Sequence, residues 1–163
     1  MIYRKLFLVA IWVVLAGFTS LAQDDGSETP SAAQFRGDLR NSGLLESVAI
    51  RTEPNQFWAF DTARPSRTTP TVTADTAYFA TENGTLYAID TATGEERWQI
   101  DTDSPIVSTG TVLDGVFYVG GLDDNFYALD ATNGEILWST TTDGQIYSSP
   151  AVTDATVYVG SRD

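Results

Sequence analysis

Tyr87-Ala88-Ile89-Asp90-Thr91-Ala92-Thr93-Gly94-Glu95-Glu96-Arg97-Trp98 returns 40 residues later as Tyr127-Ala128-Leu129-Asp130-Ala131-Thr132-Asn133-Gly134-Glu135-Ile136-Leu137-Trp138. Outward from this pair the same period holds. Trp58, Trp98 and Trp138 are spaced by 40 and 40, as are Tyr78, Tyr118 and Tyr158, and Val72, Val112 and Val152. Pro70 recurs as Pro150 with Gly110 between them, and no insertion breaks the register. A fixed period of this length is the mark of a tandem architecture in which each repeat is one supersecondary unit that buries its apolar face only against a neighbour.

Within the repeat the pattern is that of strands. Short apolar or alternating runs near Thr109–Leu113, Val116–Gly120, Asn125–Leu129 and Ile136–Thr140 are separated by turn residues. Asp114-Gly115 is a strong hairpin signal, and Asn83-Gly84 carries the sequence of a type I′ turn. Asp123-Asp124 stands one repeat after Asn83-Gly84, and Asp130 to Gly134 turns the chain into the fourth run. No segment beyond the first 22 residues has apolar positions at helical spacing. Four antiparallel strands in a repeat of this size form a propeller blade, so the expected fold is all-β: blades of four antiparallel strands, about two of them complete and the others partial.

The chain divides accordingly. Arg4 and Lys5 precede an apolar run from Leu6 to Gly17, with small Ser20 and Ala22 behind it; residues 1–22 read as a signal peptide cut after Ala22. The alternative, an uncleaved anchor, has an apolar run short of the roughly 20 residues a span requires. Residues 23–33 are a polar, flexible leader, and 34–65 a less regular segment ending in an outer blade strand around Trp58. Residues 66–105 and 106–145 are full repeats. Residues 146–163 begin a third and stop inside an expected hairpin, which points to a longer gene product whose isolated fragment would aggregate through its open strand edges.

The stretch Ala88, Asp90, Thr93, Gly94 and Trp98 matches every fixed position of the tryptophan-docking motif of quinoprotein-type (PQQ-like) propeller repeats, and the chain resembles that family. Ala128, Asp130, Gly134 and Trp138 match all but one position, Asn133 standing where the motif has threonine. The resemblance covers about Phe57 to Asp163 and implies a structural role: each tryptophan packs across the gap between blades, the glycine bares its turn to the ring, and the aspartate and threonine bond turn amides. It is specific for the repeat and not for an activity.

Composition narrows function by chemistry. The chain has no histidine and no cysteine, so it can form no Ser-His or Cys-His pair and no His/Cys zinc site from its own residues. Net charge is −13, and removal of Arg4 and Lys5 with the signal makes it more negative, a surface that repels nucleic acid and anionic lipid. Zero cysteines also leave no thiol for a lipid anchor: Leu15-Ala16-Gly17 is followed by Phe18. Gly120-Gly121 ends a strand and is no phosphate loop. Asp123, Asp124 and Asn125 could hold calcium weakly but read better as a turn; Asn83-Gly84-Thr85 fits a glycosylation acceptor but likewise reads as a turn, and Asp101 and Asp103 form no acid/base pair.

No catalytic, cofactor-binding or metal residue is therefore nominated. The first reading is an exported, periplasmic or extracellular, non-catalytic scaffold or binding module resembling BamB-type propellers. It would engage a protein or small ligand at its loops, with no nucleic acid, membrane span or lipid anchor. Phe18 departs from that family's usual lipid anchoring. The second reading is the N-terminal part of a PQQ-dependent alcohol or sugar dehydrogenase, which would hold the quinone with calcium or a lanthanide; the adjacent cysteine pair common in those enzymes is missing here.

Overall fold

A computed structural model describes residues 8–9, 55–153 and 156–163. The expectations for residues 1–22, apart from Leu8–Val9, and for 23–33 and 34–54 fall outside the described residues. Leu8–Val9 (β1) pairs antiparallel with Phe60–Asp61 (β2). Two four-stranded antiparallel meanders follow. The first is Thr71–Val72 (β3), Thr76–Ala80 (β4), Thr85–Asp90 (β5) and Glu96–Asp101 (β6). The second is Thr111–Leu113 (β7), Val116–Gly120 (β8), Asn125–Asp130 (β9) and Ile136–Thr141 (β10). Ala151–Thr153 (β11) and Thr156–Tyr158 (β12) form a further hairpin. The fold is all-β, with four-stranded blades of a propeller; the described residues contain no helix long and apolar enough to cross a membrane.

Strand alternation decides what each face buries. In β4 and β5, Ala77, Phe79, Tyr87 and Ile89 pack under Trp58 and Phe60 of the N-terminal segment. Their neighbours Tyr78, Ala80, Leu86 and Ala88 point the other way, into a core shared with Val112, Phe117, Val119 and Leu129 of the second sheet. The first sheet is thus buried on both faces. Tyr78 stacks on Phe117 with ring centroids 5.1 Å apart, and its hydroxyl donates to the Ala131 carbonyl at 3.1 Å. Gly110 stands where the flanking repeats have proline because the Phe117 ring lies against its backbone. On the other face of the second sheet Tyr118, Phe126 and Trp138 lie together, Phe126 buried, Tyr118 half-buried and Trp138 exposed.

The turns differ from expectation in one respect. Asp114 (φ 49°) and Gly115 (φ 75°) are both left-handed, as a type I′ hairpin requires. Asn83-Gly84 is not such a turn. Only Gly84 has positive φ (91°), the Gly84 amide bonds the Thr81 carbonyl at 3.0 Å, and the Thr81 amide bonds the Thr85 carbonyl at 3.0 Å. This is a three-residue loop closed by a left-handed residue, and one repeat later Asp124 (φ 66°) takes that left-handed place.

Candidate functional site

Trp98 sits at the centre of the contact between the two meanders. Its ring is 7 % exposed, its Nε1 donates to the Ala131 carbonyl at 3.0 Å, and it lies so close to Gly134 that a Cβ there would stand 2.7 Å from the indole Cε3. Gly134 has φ 76°, so both space and backbone conformation call for glycine. Ala88, directly opposite Trp98 in the ladder, is small enough to leave the indole room. Trp58 repeats the arrangement one step earlier: Nε1 to the Thr91 carbonyl at 2.8 Å, and the ring against Gly94 (φ 75°). Trp138 does not share it. It faces Ala128 across the ladder, touches Tyr118 and Phe126 of its own sheet, and is 44 % exposed.

The turn residues of the motif close on themselves. Asp90 Oδ1 accepts the Ala92 and Thr93 amides at 2.9 and 3.0 Å, and Thr93 Oγ1 accepts the Glu95 amide at 3.2 Å. In the second copy Asp130 accepts the Thr132 amide at 2.7 Å, and Asn133 Oδ1 takes over the threonine's bond, accepting the Glu135 amide at 2.9 Å. The departure from the motif at Asn133 is therefore chemically neutral at this bond.

Arg97 was not singled out by its sequence, yet it organises the polar end of the first sheet. The ladder pairs Ala88 with Trp98 and Ile89 with Glu96, leaving Arg97 as the extra residue of a β-bulge. The bulge aims the guanidinium at two turns at the same end of the sheet. Nη1 donates to Asp75 Oδ2 at 2.8 Å and Thr76 Oγ1 at 2.9 Å, and Nη2 to Asp90 Oδ2 at 2.8 Å. Arg97, then the Thr93 and Ala92 amides, hold the Asp90 carboxyl at about 2, and Arg97 also lowers Asp75. The second repeat has the same bulge at Leu137 and Gly115 in place of Asp75, so it lacks the network. Between the two meanders these groups border a cleft of about 370 Å³ lined by Thr73, Asp75, Tyr78, Arg97, Asp114 and Thr132.

The other acidic positions are turn residues. Asp123 accepts the Asn125 amide and the Tyr127 hydroxyl; burial, then that bond, push the Tyr127 hydroxyl up to about 12. Asn83 Nδ2 donates to Thr85 Oγ1 at 3.0 Å, and Thr85 Oγ1 donates to Asp101 at 2.6 Å. Among the described residues no three His, Cys, Asp or Glu side chains stand together as metal ligands.

The sequence family described as outer membrane protein assembly factor BamB matches residues 46–163. No curated protein matches the chain in sequence. Among solved structures, BamB from Moraxella catarrhalis is similar over 65 % of this chain and 34 % of its own, with a TM-score of 0.58 and 24 % identity. Quinohemoprotein alcohol dehydrogenase from Comamonas testosteroni is similar over 60 % of this chain and 17 % of its own, at TM-score 0.53 and 30 % identity. The quinohemoprotein alcohol dehydrogenase ADHIIG from Pseudomonas putida HK5 is similar over 63 % and 17 %, at 0.55 and 28 %. The chain spans well under two thirds of each.

Proposed function

The chain belongs to the family of BamB-like quinoprotein-type propeller repeats, and from that membership we propose that it is an exported, non-catalytic scaffold that binds a protein partner at the cell envelope. The observation that carries this reading is the family match over residues 46–163, joined to a site chemistry in which the motif residues are spent on packing and turn closure. In this reading Trp98 and Trp58 hold neighbouring blades in register. Ala88, Asp90, Thr93 and Gly94, with Ala128, Asp130 and Gly134, serve the same end. Repeats 66–105 and 106–145 act as rigid mounts whose loops meet the partner.

A scan of photo-crosslinking side chains at exposed loop positions, Thr132 and Glu135 at one end of the sheets and Asp143 and Asp163 at the other, tests it in cells that export the protein. A discrete protein adduct at one end is the expected result, and no adduct at any position overturns the reading. A second reading, part of a PQQ-dependent dehydrogenase, is favoured by the 30 % identity to the Comamonas enzyme. Alcohol-dependent dye reduction by the full protein after addition of PQQ and calcium would establish that reading instead.

A further inference from the structure

Three repeats place one residue pair at the same spot, and each fills it with different chemistry. The pair joins the loop before the first strand of a repeat to the hairpin between its second and third strands. A backbone bond holds the spot constant: Glu82 amide to Pro65 carbonyl at 2.9 Å, Leu122 to Pro105 at 3.0 Å, Arg162 to Gln145 at 3.1 Å. In the first repeat Arg67 and Glu82 form an ion pair. In the third, the Arg162 guanidinium lies 5.3 Å from the centroid of the Tyr147 ring. In the second the pair is Val107 and Leu122, both half-buried, with no charge to satisfy.

Val107 and Leu122 do not stand alone. The Ile146 amide bonds the Gly121 carbonyl at 3.1 Å, which brings the loop carrying Tyr147, 46 % exposed, beside Leu122. The three side chains make an apolar shelf at one end of the second sheet. Around it, Asp103 and Asp143 are exposed and Asp124 is half-buried, and no ion pair among the described residues reaches any of the three. The sequence supplies no lysine or arginine between Arg97 and Arg162, and the Arg162 guanidinium over Tyr147 is a single positive charge beside three carboxylates. A scaffold that keeps backbone geometry fixed while varying a surface pair, and leaves one pair apolar among carboxylates that outnumber the neighbouring Arg162, has the charge complement of a basic segment.

We propose that the shelf of Val107, Leu122 and Tyr147 docks an extended segment of a protein partner in which a bulky apolar side chain is flanked by arginine or lysine. This rests on the binding-module reading and specifies its surface and partner chemistry. The apolar side chain covers Val107 and Leu122, while the flanking cations meet Asp103, Asp124 and Asp143. A guanidinium also stacks on Tyr147 as Arg162 already does.

Fluorescence anisotropy of a short labelled peptide with arginines flanking a leucine pair, titrated with the full chain, tests the proposal. Val107→Arg with Leu122→Glu installs the first repeat's ion pair on a backbone that already carries it one blade away. It is expected to weaken binding by at least about tenfold, as loss of a central anchor does. Asp103→Asn, Asp124→Asn and Asp143→Asn together are expected to do the same, asparagine being at home in the left-handed conformation of Asp103 and Asp124. Thermal melts of both variants check that they fold. Absence of binding, unchanged affinity in either variant, or equally tight binding of a peptide with serine for leucine would each overturn the proposal. The in-cell adducts read the wider function separately: adducts with a peptide result of that kind remove this surface and leave the binding module standing.

Discussion

Trp98 and Trp138 occupy one repeat position in two environments, and the difference sets what each is worth. The Trp98 indole is enclosed by the neighbouring sheet and has its N–H satisfied by Ala131. Trp98→Ala should therefore cost about 3–5 kcal/mol in urea unfolding, the range for a buried aromatic. Trp138→Ala should change stability by less than about 1 kcal/mol, since a half-exposed side chain loses little on truncation. Equal losses at the two sites would contradict the packing described here. Asp90 offers a second test, with a sign. Its folded carboxyl titrates at about 2, below the ordinary aspartate value near 4, so the bonds from Arg97, Thr93 and Ala92 stabilise the fold fully above about pH 4. That contribution is lost as pH falls through about 2. Asp90→Asn should be less stable than the parent near neutral pH, and the gap should close in acid. A gap independent of pH would show that the carboxylate's charge is not what the turn uses. At this scale the motif residues were legible because tryptophan, glycine and aspartate recur visibly. Arg97 was not, because a bulge re-aims a side chain without leaving a mark on the sequence.

Strands were legible for a different reason: short apolar runs bounded by turn residues mark them, and β8 runs over Val116–Gly120 as its run between Asp114-Gly115 and Asp123-Asp124 predicts. Turn type was less so. Asn-Gly suits a two-residue hairpin, but register across β4 and β5 closes a three-residue loop, and Gly84 supplies the left-handed residue. Least visible were hydroxyl clamps at the entry to each repeat. Thr68 Oγ1 donates to the Ala80 carbonyl and accepts the Ala80 amide; Ser108 does the same to Gly120, and Ser148 to Gly160. A second series runs between blades, from the Thr69 amide to Thr109 Oγ1 and from the Thr109 amide to Ser149 Oγ. Small hydroxyls are common and carry no periodic hydropathy, so only their spacing of 40 could have drawn notice. Ser108 is the clearest case, being buried with both of its bonds. Ser108→Ala leaves the Gly120 amide and carbonyl without this partner and should cost about 1–3 kcal/mol. Ser108→Thr restores the hydroxyl found at position 68 and should recover most of that. Failure of threonine to rescue would mean that the space, not the hydroxyl, matters.

For the molecule as a whole, charge is distributed less evenly than the repeat. Acidic residues number 22 against 9 basic ones, and the 106–145 repeat holds no cation. The 66–105 repeat offsets part of its charge internally, through Arg67 with Glu82 and Arg97 with Asp75 and Asp90. Salt therefore acts on two opposed terms. It screens the exposed ion pairs, which are worth only about 0–1 kcal/mol each. It also screens repulsion among many unpaired carboxylates, whose range shrinks from about 30 Å at 0.01 M to about 8 Å at 0.15 M. Repulsion has more members, so the midpoint of thermal unfolding should rise over that interval of sodium chloride. The charge-neutral variant Asp103→Asn, Asp124→Asn, Asp143→Asn should show a shallower rise, because it removes repulsion from the repeat that has no compensating arginine. A midpoint that falls with salt in the parent would place the balance with the Arg67 and Arg97 pairs. An unchanged slope in the variant would mean that the acidic rim of the second repeat is already relaxed in the folded chain, leaving less field there to draw a basic partner.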